Sequence, residues 1–362
     1  MRVAIGFGSG REEWDESVAF VQEAERLGAT FVWSAETWGH DAATPLAFLA
    51  AKTSTITLGT GVMQAGARTP ANVAMTALAL ASMSGDRFVL GLGASGPQVV
   101  EGWHGVDYDR PITRLRETVD IVRMITRGER LAYRGKVYRL PREGGEGKAL
   151  RTSARPRDIP IYLATLSPRS LEITGEIADG WLGTSFMPEH AETFFAPMQR
   201  GAHKADRTLA DIDRQAGGAV AFGDDLDRLI APRKPGLAFS LGAMGSPTTN
   251  FYNDAYCRAG YEDDAKAVQR LWVEGKRDEA AARVPDEMVL KTNLLGTEAM
   301  VRDRVRAYRD AGITTLRAQL QGDPAIDLQR QLDDLAHLLD LTNEVNQEPA
   351  SSTSRTIKAE TR

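Results

Sequence analysis

Short apolar runs alternate with longer amphipathic stretches over most of the chain, a pattern typical of parallel α/β folds. The run VAIGFG (3–8) predicts a buried strand, and VAFVQEAERLGA (18–29) predicts a helix with Gly28 at its end. Strands are predicted at 3–8, 31–36, 56–63, 87–93, 159–165, 181–185, 216–222 and 314–320. Eight strands with helices between them fit a TIM (β/α)8 barrel with insertions, whose usual length is roughly 250 residues. A doubly wound sheet is the alternative.

Two segments interrupt this alternation. Residues 133–140 alternate around a glycine, which predicts a surface hairpin, and residues 224–290 are mostly helical in pattern. Predicted helices elsewhere lie at 18–29, 45–53, 71–83, 110–128, 168–180, about 189–205 and 297–313. We therefore predict one barrel domain over 1–346 with a helical insertion at about 224–290. Residues 347–362 lack apolar periodicity, which predicts a disordered tail.

Composition narrows the class of protein. The 362 residues carry 44 basic and 49 acidic side chains, a net charge of −5, without the basic block of a nucleic-acid binder. No apolar run reaches the roughly 18 residues that span a bilayer, and the N-terminus lacks a signal-peptide pattern, which predicts a cytoplasmic protein. The single Cys257 excludes an internal disulfide, and the histidine spacing predicts no metal site.

The predicted carboxyl ends of the strands, where TIM barrels place catalysis, are rich in small residues. The segments LGTGV (58–62) and GLGASGP (91–97) would bring backbone close to a ligand. This composition favours a large flat ligand over a metal cage or a pair of catalytic acids. The alternative is that these glycines only end the strands. The glycine pattern at 91–96 does not open the βαβ unit that a Rossmann loop requires.

The segment ATLSP (164–168) joins a predicted strand to a predicted helix. Ser167 suits the N-cap and Pro168 the first turn, so the free N–H groups of this helix could bind a phosphate. The alternative is an ordinary capped helix.

Glu36 is the acid at the end of the second predicted strand, followed closely by His40. We predict Glu36 as the first candidate for acid–base catalysis or cofactor anchoring and His40 as the second; for both, a structural role is the alternative. No nucleophile motif is present, so covalent catalysis is not expected. A site of backbone and small polar groups implies that a cofactor carries the reaction.

The sequence resembles the bacterial luciferase-like superfamily of flavin- and deazaflavin-dependent TIM barrels. Within it, the chain is similar to the branch that uses coenzyme F420 and includes methylenetetrahydromethanopterin reductase. The stretches that carry the resemblance are 25–36, 56–62, 68–93, 159–180 and 294–316.

The resemblance implies a set of cofactor contacts. It implies a non-prolyl cis peptide at Gly61–Val62 behind the deazaflavin ring, and an acid, Glu36, beside the ring. It places Ala94 and Ser95 near the cofactor tail. It assigns the phosphate side to Thr165, Leu166 and Ser167. It also implies a homodimer or larger homo-oligomer.

The resemblance predicts hydride transfer between F420 and a small organic substrate, with an FMN-dependent monooxygenase and a non-catalytic cofactor-binding protein as alternatives. The chain lacks the Asp-His pair and the later Glu of the family's sugar-phosphate dehydrogenases. It also lacks the early Glu of the pterin reductases, showing glycine at 6 and 8. Neither substrate is therefore expected. Aromatic residues of the insertion are candidates for the pocket wall, with ordinary core packing as the alternative: Phe239, Phe251, Tyr252 and Tyr256.

Overall fold

A computed structural model describes residues 1–7, 14–245, 249–320 and 327–349. Within these ranges, eight parallel strands form a closed barrel. The strands are β1 (Arg2–Phe7), β2 (Phe31–Ser34), β3 (Thr57–Thr60), β4 (Phe88–Gly93), β5 (Ile161–Ala164), β6 (Gly180–Leu182), β7 (Asp213–Phe222) and β8 (Thr315–Gln319). Because β8 pairs with both β7 and β1, the sheet has no edge. The predicted TIM barrel is confirmed, and the doubly wound sheet is excluded.

Helices follow the strands and cover the outside of the barrel. They are α1 (Trp14–Leu27), α2 (Ala43–Ala50), α3 (Pro70–Met83), α4 (Pro111–Thr126), α5 (Pro168–Ile177), α6 (Glu192–Lys204), α7 (Glu298–Asp310) and α8 (Leu328–Gln347). A short helix, Pro97–Val100, follows β4, and short 3₁₀ turns lie at Pro188–His190 and Leu209–Asp211.

Each barrel strand has an outer and an inner face. In β1, Val3 and Ile5 face the main core beneath the helices, whereas Ala4 joins a separate inner cluster. That inner cluster consists of Ala4, Phe31, Trp33, Val89, Tyr162 and Leu182, with Val62 and Ala164 against it. The period-two alternation of the strands produces these two cores.

The segment between β7 and α7 adds a helical layer. Its elements are Leu226–Ile230, Ala231–Arg233, Lys234–Gly242, Phe251–Tyr256, the π turn Cys257–Tyr261, Glu262–Val273, Arg277–Ala282, Asp286–Thr292 and the strand Leu294–Gly296. The layer has its own apolar core, which includes Leu241, Tyr256 and Val268. Ala219 and Ala221 of β7 join this core, so the layer packs at the carboxyl end of β7.

Several predicted boundaries shift in the structure. The 133–140 hairpin is present as the paired strands Tyr133–Arg134 and Arg139–Leu140. The predicted strand 56–63 ends at Thr60, and a separate short strand, Met63–Gln64, pairs with β4. Helix α8 was not predicted. The predicted tail lies outside the described residues from 350 onward, as does the strand-one end beyond Phe7.

Candidate active site at the barrel mouth

A cavity of about 470 Å³ opens at the carboxyl ends of β2 to β5, under the helical layer. Its walls are mostly apolar side chains and exposed backbone. Lining residues from the barrel are Glu36, Gly61, Val62, Gln64, Gly93, Ala94, Ser95, Ala164, Thr165, Leu166, Ser167 and Ser170; Tyr108, Ile112 and Leu115 line it from the α4 side. The cavity therefore collects every predicted cofactor contact, whereas the second catalytic candidate, His40, lies outside its lining.

Glycines bring backbone to the cavity wall beside Val62. The Gly61–Val62 peptide bond is cis, as the resemblance implied. An added Cβ at Gly93 would lie 2.8 Å from Val62 Cγ2, closer than side chains normally pack. An added Cβ at Gly61 would lie 3.0 Å from the Trp33 Cβ. A flat group could therefore approach main chain here, whereas larger side chains would block it.

Glu36 lies at the cavity wall with both carboxylate oxygens engaged. Oε1 accepts hydrogen bonds from the Gln64 amide (2.8 Å) and Arg68 Nη1 (2.5 Å). Oε2 accepts from the Ala42 amide (3.1 Å) and Arg68 Nη2 (2.9 Å). The side chain is only 7% exposed. This bidentate pair ties the loops after β2 and β3 together, which favours the anchoring role over proton transfer.

His40 lies elsewhere. It is exposed and packs against Trp14, with 5.3 Å between ring centroids, outside the cavity lining. The chain between Glu36 and His40 turns outward, so closeness in sequence does not bring the imidazole to the cavity.

The loop after β4 is held by a tyrosine that sequence patterns did not single out. Ser95 adopts a left-handed backbone conformation (φ 59°), and Tyr108 donates a hydrogen bond to its carbonyl at 2.9 Å. Burial raises the pKa of Tyr108 to about 12, so the phenol remains a donor at neutral pH. Tyr108 thereby shapes the wall that Ala94 and Ser95 form.

The loop after β5 ends in a capped helix, as its sequence predicted. Ser167 accepts a hydrogen bond from the Ser170 amide at 3.3 Å, and Pro168 occupies the first turn of α5. The Leu166 carbonyl accepts a hydrogen bond from Arg258 of the helical layer at 2.7 Å. The N-terminus of α5 faces the cavity through Ser167 and Ser170, a geometry suited to an anionic group.

The aromatic residues of the helical layer separate into two groups. Phe239, Phe251 and Tyr252 line the cavity. Tyr256 is 1% exposed and belongs to the core of the helical layer, so its expected place in the pocket wall is wrong. Periodicity could not separate them, because the helices that carry them, Lys234–Gly242 and Phe251–Tyr256, are only nine and six residues long.

One cation inside the barrel escaped the sequence analysis. Arg317 lies on β8 with its guanidinium carbon 6.0 Å from the centre of the Trp33 ring. Burial lowers the pKa of Arg317 to about 10, which leaves it charged at neutral pH. The one signal in the sequence was the alternation of TTLRAQL, which places Arg317 on the same face of the strand as Thr315.

The described part of the chain holds no cluster of three or more metal-ligating side chains. Among the described helices, none is long and apolar enough to cross a bilayer.

The closed eight-stranded barrel, with a cavity lined by backbone and apolar side chains at its carboxyl end, defines a TIM-barrel protein. The luciferase-like monooxygenase family model matches residues 2–315, and the chain belongs to that family.

Relatives cover nearly the whole chain. A Mycobacterium tuberculosis protein with the provisional name coenzyme F420-dependent oxidoreductase is 40% identical over 326 residues, covering 87% of this chain and 94% of its own. The 5,10-methylenetetrahydromethanopterin reductase of Archaeoglobus fulgidus is 28% identical over 305 residues, covering 83% and 87%. The solved coenzyme F420 dependent tetrahydromethanopterin reductase of Methanopyrus kandleri superposes with a TM-score of 0.76 at 23% identity, covering 93% and 97%.

Proposed function

We propose that this protein is a coenzyme F420-dependent oxidoreductase that moves a hydride between the deazaflavin and a small organic substrate. Support comes from family membership and from the mycobacterial relative. That relative is named as an F420-dependent oxidoreductase, and the match covers 94% of its length. The bound deazaflavin would supply the hydride donor or acceptor, at carbon C5 of its ring.

The observation that carries the proposal is the layout of the cavity. One wall presents backbone at Gly61, Val62 and Gly93, and one end presents the N-terminus of α5 at Ser167. A flat ring against the first and a phosphate against the second would use both features. The cavity residues therefore fit a deazaflavin nucleotide analogue in shape and in charge.

In this proposal, protein residues act mainly by orientation. Glu36 holds two mouth loops through Arg68 and the Gln64 amide, and Tyr108 fixes the wall at Ser95. Holding two reactants at the right distance and orientation can lower the activation free energy of their reaction by a large amount, without a protein acid or base. We propose Glu36 as an anchor, and we assign His40 no contact with the ring.

Binding titrations of the purified apo-protein with F420 and, separately, with FMN test the proposal. Following cofactor fluorescence, we expect F420 to bind with a Kd of about micromolar or tighter and FMN to bind at least about tenfold more weakly. A preference for FMN would overturn the proposal and favour an oxygen-activating monooxygenase, which oxygen uptake would then test. Tight F420 binding without turnover across a broad substrate panel would favour a non-catalytic cofactor-binding protein.

The family resemblance also supports a homodimer or larger homo-oligomer. Size-exclusion chromatography with light scattering tests this directly. A monomer mass at micromolar concentration would contradict it.

A further inference from the structure

Arg317 is a charged side chain inside the barrel for which the described part of the chain supplies no hydrogen-bonding or ionic partner. Among the described residues, no hydrogen bond or ion pair reaches its guanidinium, and the guanidinium carbon lies 6.0 Å from the centre of the Trp33 ring. Charged groups surrounded by protein are normally paired, because an unpaired charge loses its hydration without compensation. The guanidinium is therefore available to a ligand.

Its position lies toward the mouth of the barrel. Thr315, two residues earlier on β8, is fully buried and donates to Asp213 in the lower barrel. Gln319, two residues later, is exposed. Arg317 is partly accessible and lies between these levels.

Small residues leave space around this guanidinium. The register pairs Arg317 with Ala4 of β1 and with Gly217 of β7. Gly6, further along β1, is exposed, and an added Cβ there would meet no atom within 4 Å. Among the described residues, the positions next to Arg317 on β1 and β7 therefore carry no large side chain.

This space adjoins the cavity through Trp33. The same indole that lies under Arg317 contacts the backbone of Gly59 and Gly61, and Gly61 lines the cavity. A ligand group beside Arg317 would therefore be separated by the Trp33 indole from the cavity wall that is proposed to contact the cofactor ring. Arg68, next to the cavity, already pairs with Glu36, and Arg258 already donates to the Leu166 carbonyl.

We propose that Arg317 binds the carboxylate of a monoanionic substrate at the base of the mouth. The proposal rests on the proposed function, since it places that substrate beside the cofactor ring. One unpaired guanidinium offers a single positive charge and two parallel N–H donors, which match a carboxylate in charge and geometry. An apolar body attached to that carboxylate would suit the aromatic and aliphatic walls.

Benzoate and the neutral benzamide are matched probes of this subsite. Isothermal titration of the F420-loaded protein should give benzoate an affinity at least about tenfold higher than that of benzamide. R317M and R317Q should abolish the preference, and R317K should keep part of it because it retains charge without the bidentate fork. Equal affinities in the wild type, no binding of benzoate, or a preference that survives in both R317M and R317Q would overturn the proposal.

Arg214 provides the control. It lies on the neighbouring β7 with its guanidinium over Phe195 in the outer layer, away from the cavity. R214M should leave the preference for benzoate intact; its loss there would make the effect of R317M a general consequence of a damaged barrel and would overturn the proposal.

Repeating the titrations with apo-protein separates the two proposals. A preference for benzoate in a protein that does not bind F420 would support the Arg317 subsite and contradict the proposed cofactor. Tight F420 binding without a preference for benzoate over benzamide would support the proposed cofactor and contradict the Arg317 subsite. R317M that weakens F420 binding about tenfold while the wild type shows no preference would assign the guanidinium to the cofactor instead.

Discussion

The two ends of the barrel interior differ in how far their charged side chains are hydrogen-bonded by the described residues. At the amino-terminal end, the Asp213 carboxylate is surrounded by donors from Arg2, Tyr162, Thr315 and Gln215 at 2.7 to 3.1 Å, together with a short bond from Thr314. Gln215 in turn accepts a hydrogen bond from the Trp33 indole at 3.0 Å. The side chains of Asp213, Gln215, Tyr162 and Trp33 are therefore all hydrogen-bonded.

At the carboxyl end, beyond the Trp33 ring, this hydrogen-bonded network does not continue among the described residues. Arg317 has no hydrogen-bonding partner among the described residues, and the positions around it are Ala4, Gly6 and Gly217. On the proposals above, the lower end serves stability, whereas the mouth provides charge and space for ligands.

The largest expected effect is on the lower end. D213A removes the acceptor of several buried donors, so we expect the free energy of unfolding to fall by about 3 kcal/mol or more. Urea denaturation followed by circular dichroism measures this, with D224N at an exposed aspartate as the control. A loss no larger than that of the control would contradict a structural role for the network.

The same network predicts a pH dependence. Burial by itself would raise the pKa of Asp213, but hydrogen bonds from Thr314 and Gln215 and the charge of Arg2 outweigh it and lower the pKa below its usual value. This stabilisation is present above the unfolded pKa of about 3.9 and is lost as the pH falls through the lower folded value. The stability gap between wild type and D213N should therefore narrow below about pH 4; a constant gap would contradict it.

The second effect concerns the anchor at Glu36. E36Q leaves Arg68 without its acid, and we expect a loss of about 2 kcal/mol, moderated because Arg68 is 21% exposed. A double-mutant cycle with R68M should give a coupling energy of about 1–2 kcal/mol. Additive losses would show that the ion pair does not hold the two loops together.

The third effect sharpens the contrast at the mouth. G93A adds a Cβ 2.8 Å from Val62 Cγ2 at the cavity wall, so we expect F420 affinity to fall about tenfold. Trimming the neighbour in G93A/V62A should recover part of the affinity. G39A is the control, since an added Cβ there meets nothing within 4 Å. Unchanged F420 affinity in G93A would contradict a cofactor ring bound against this wall.

The smallest effect is at Tyr108. Y108F removes the hydrogen bond to the Ser95 carbonyl, and we expect about 1 kcal/mol of lost stability with F420 affinity lowered about threefold. Y133F is matched to it, because Tyr133 donates to Asp120 at 3.0 Å outside the cavity lining. Y133F should lose similar stability with no change in affinity; equal affinity losses would remove the special role of Tyr108.

Much of the barrel could be predicted from hydrophobic periodicity. The inner and outer faces of β1 follow the alternation in VAIGFG, and the cap of α5 follows from Ser167 and Pro168. Strand β7 was predicted to begin at 216 but begins at Asp213, because its first residues are polar members of the buried network. Helix α8 was missed although Leu335, Leu338 and Val345 bury one face at helical spacing.

The site was predicted less completely. Small-residue segments pointed to the cavity because strand ends meet at one side of the barrel, whatever their side chains. The roles of Glu36 and Arg317 depend on partners distant in sequence: Arg68 engages the first, and nothing described engages the second. His40 was misplaced because a turn separates it from Glu36. Pairing across a fold is invisible to local pattern.

The separation of the two ends is tested most directly by the stabilisation that F420 gives to wild type, D213A and G93A in urea denaturation. At a concentration about 100-fold above the wild-type Kd, F420 should raise the free energy of unfolding of wild type by about 2.7 kcal/mol. D213A, although less stable, should gain the same amount, and G93A should gain about half or less. Loss of the gain in D213A with full retention in G93A would contradict a ligand site at the mouth that is independent of the lower network.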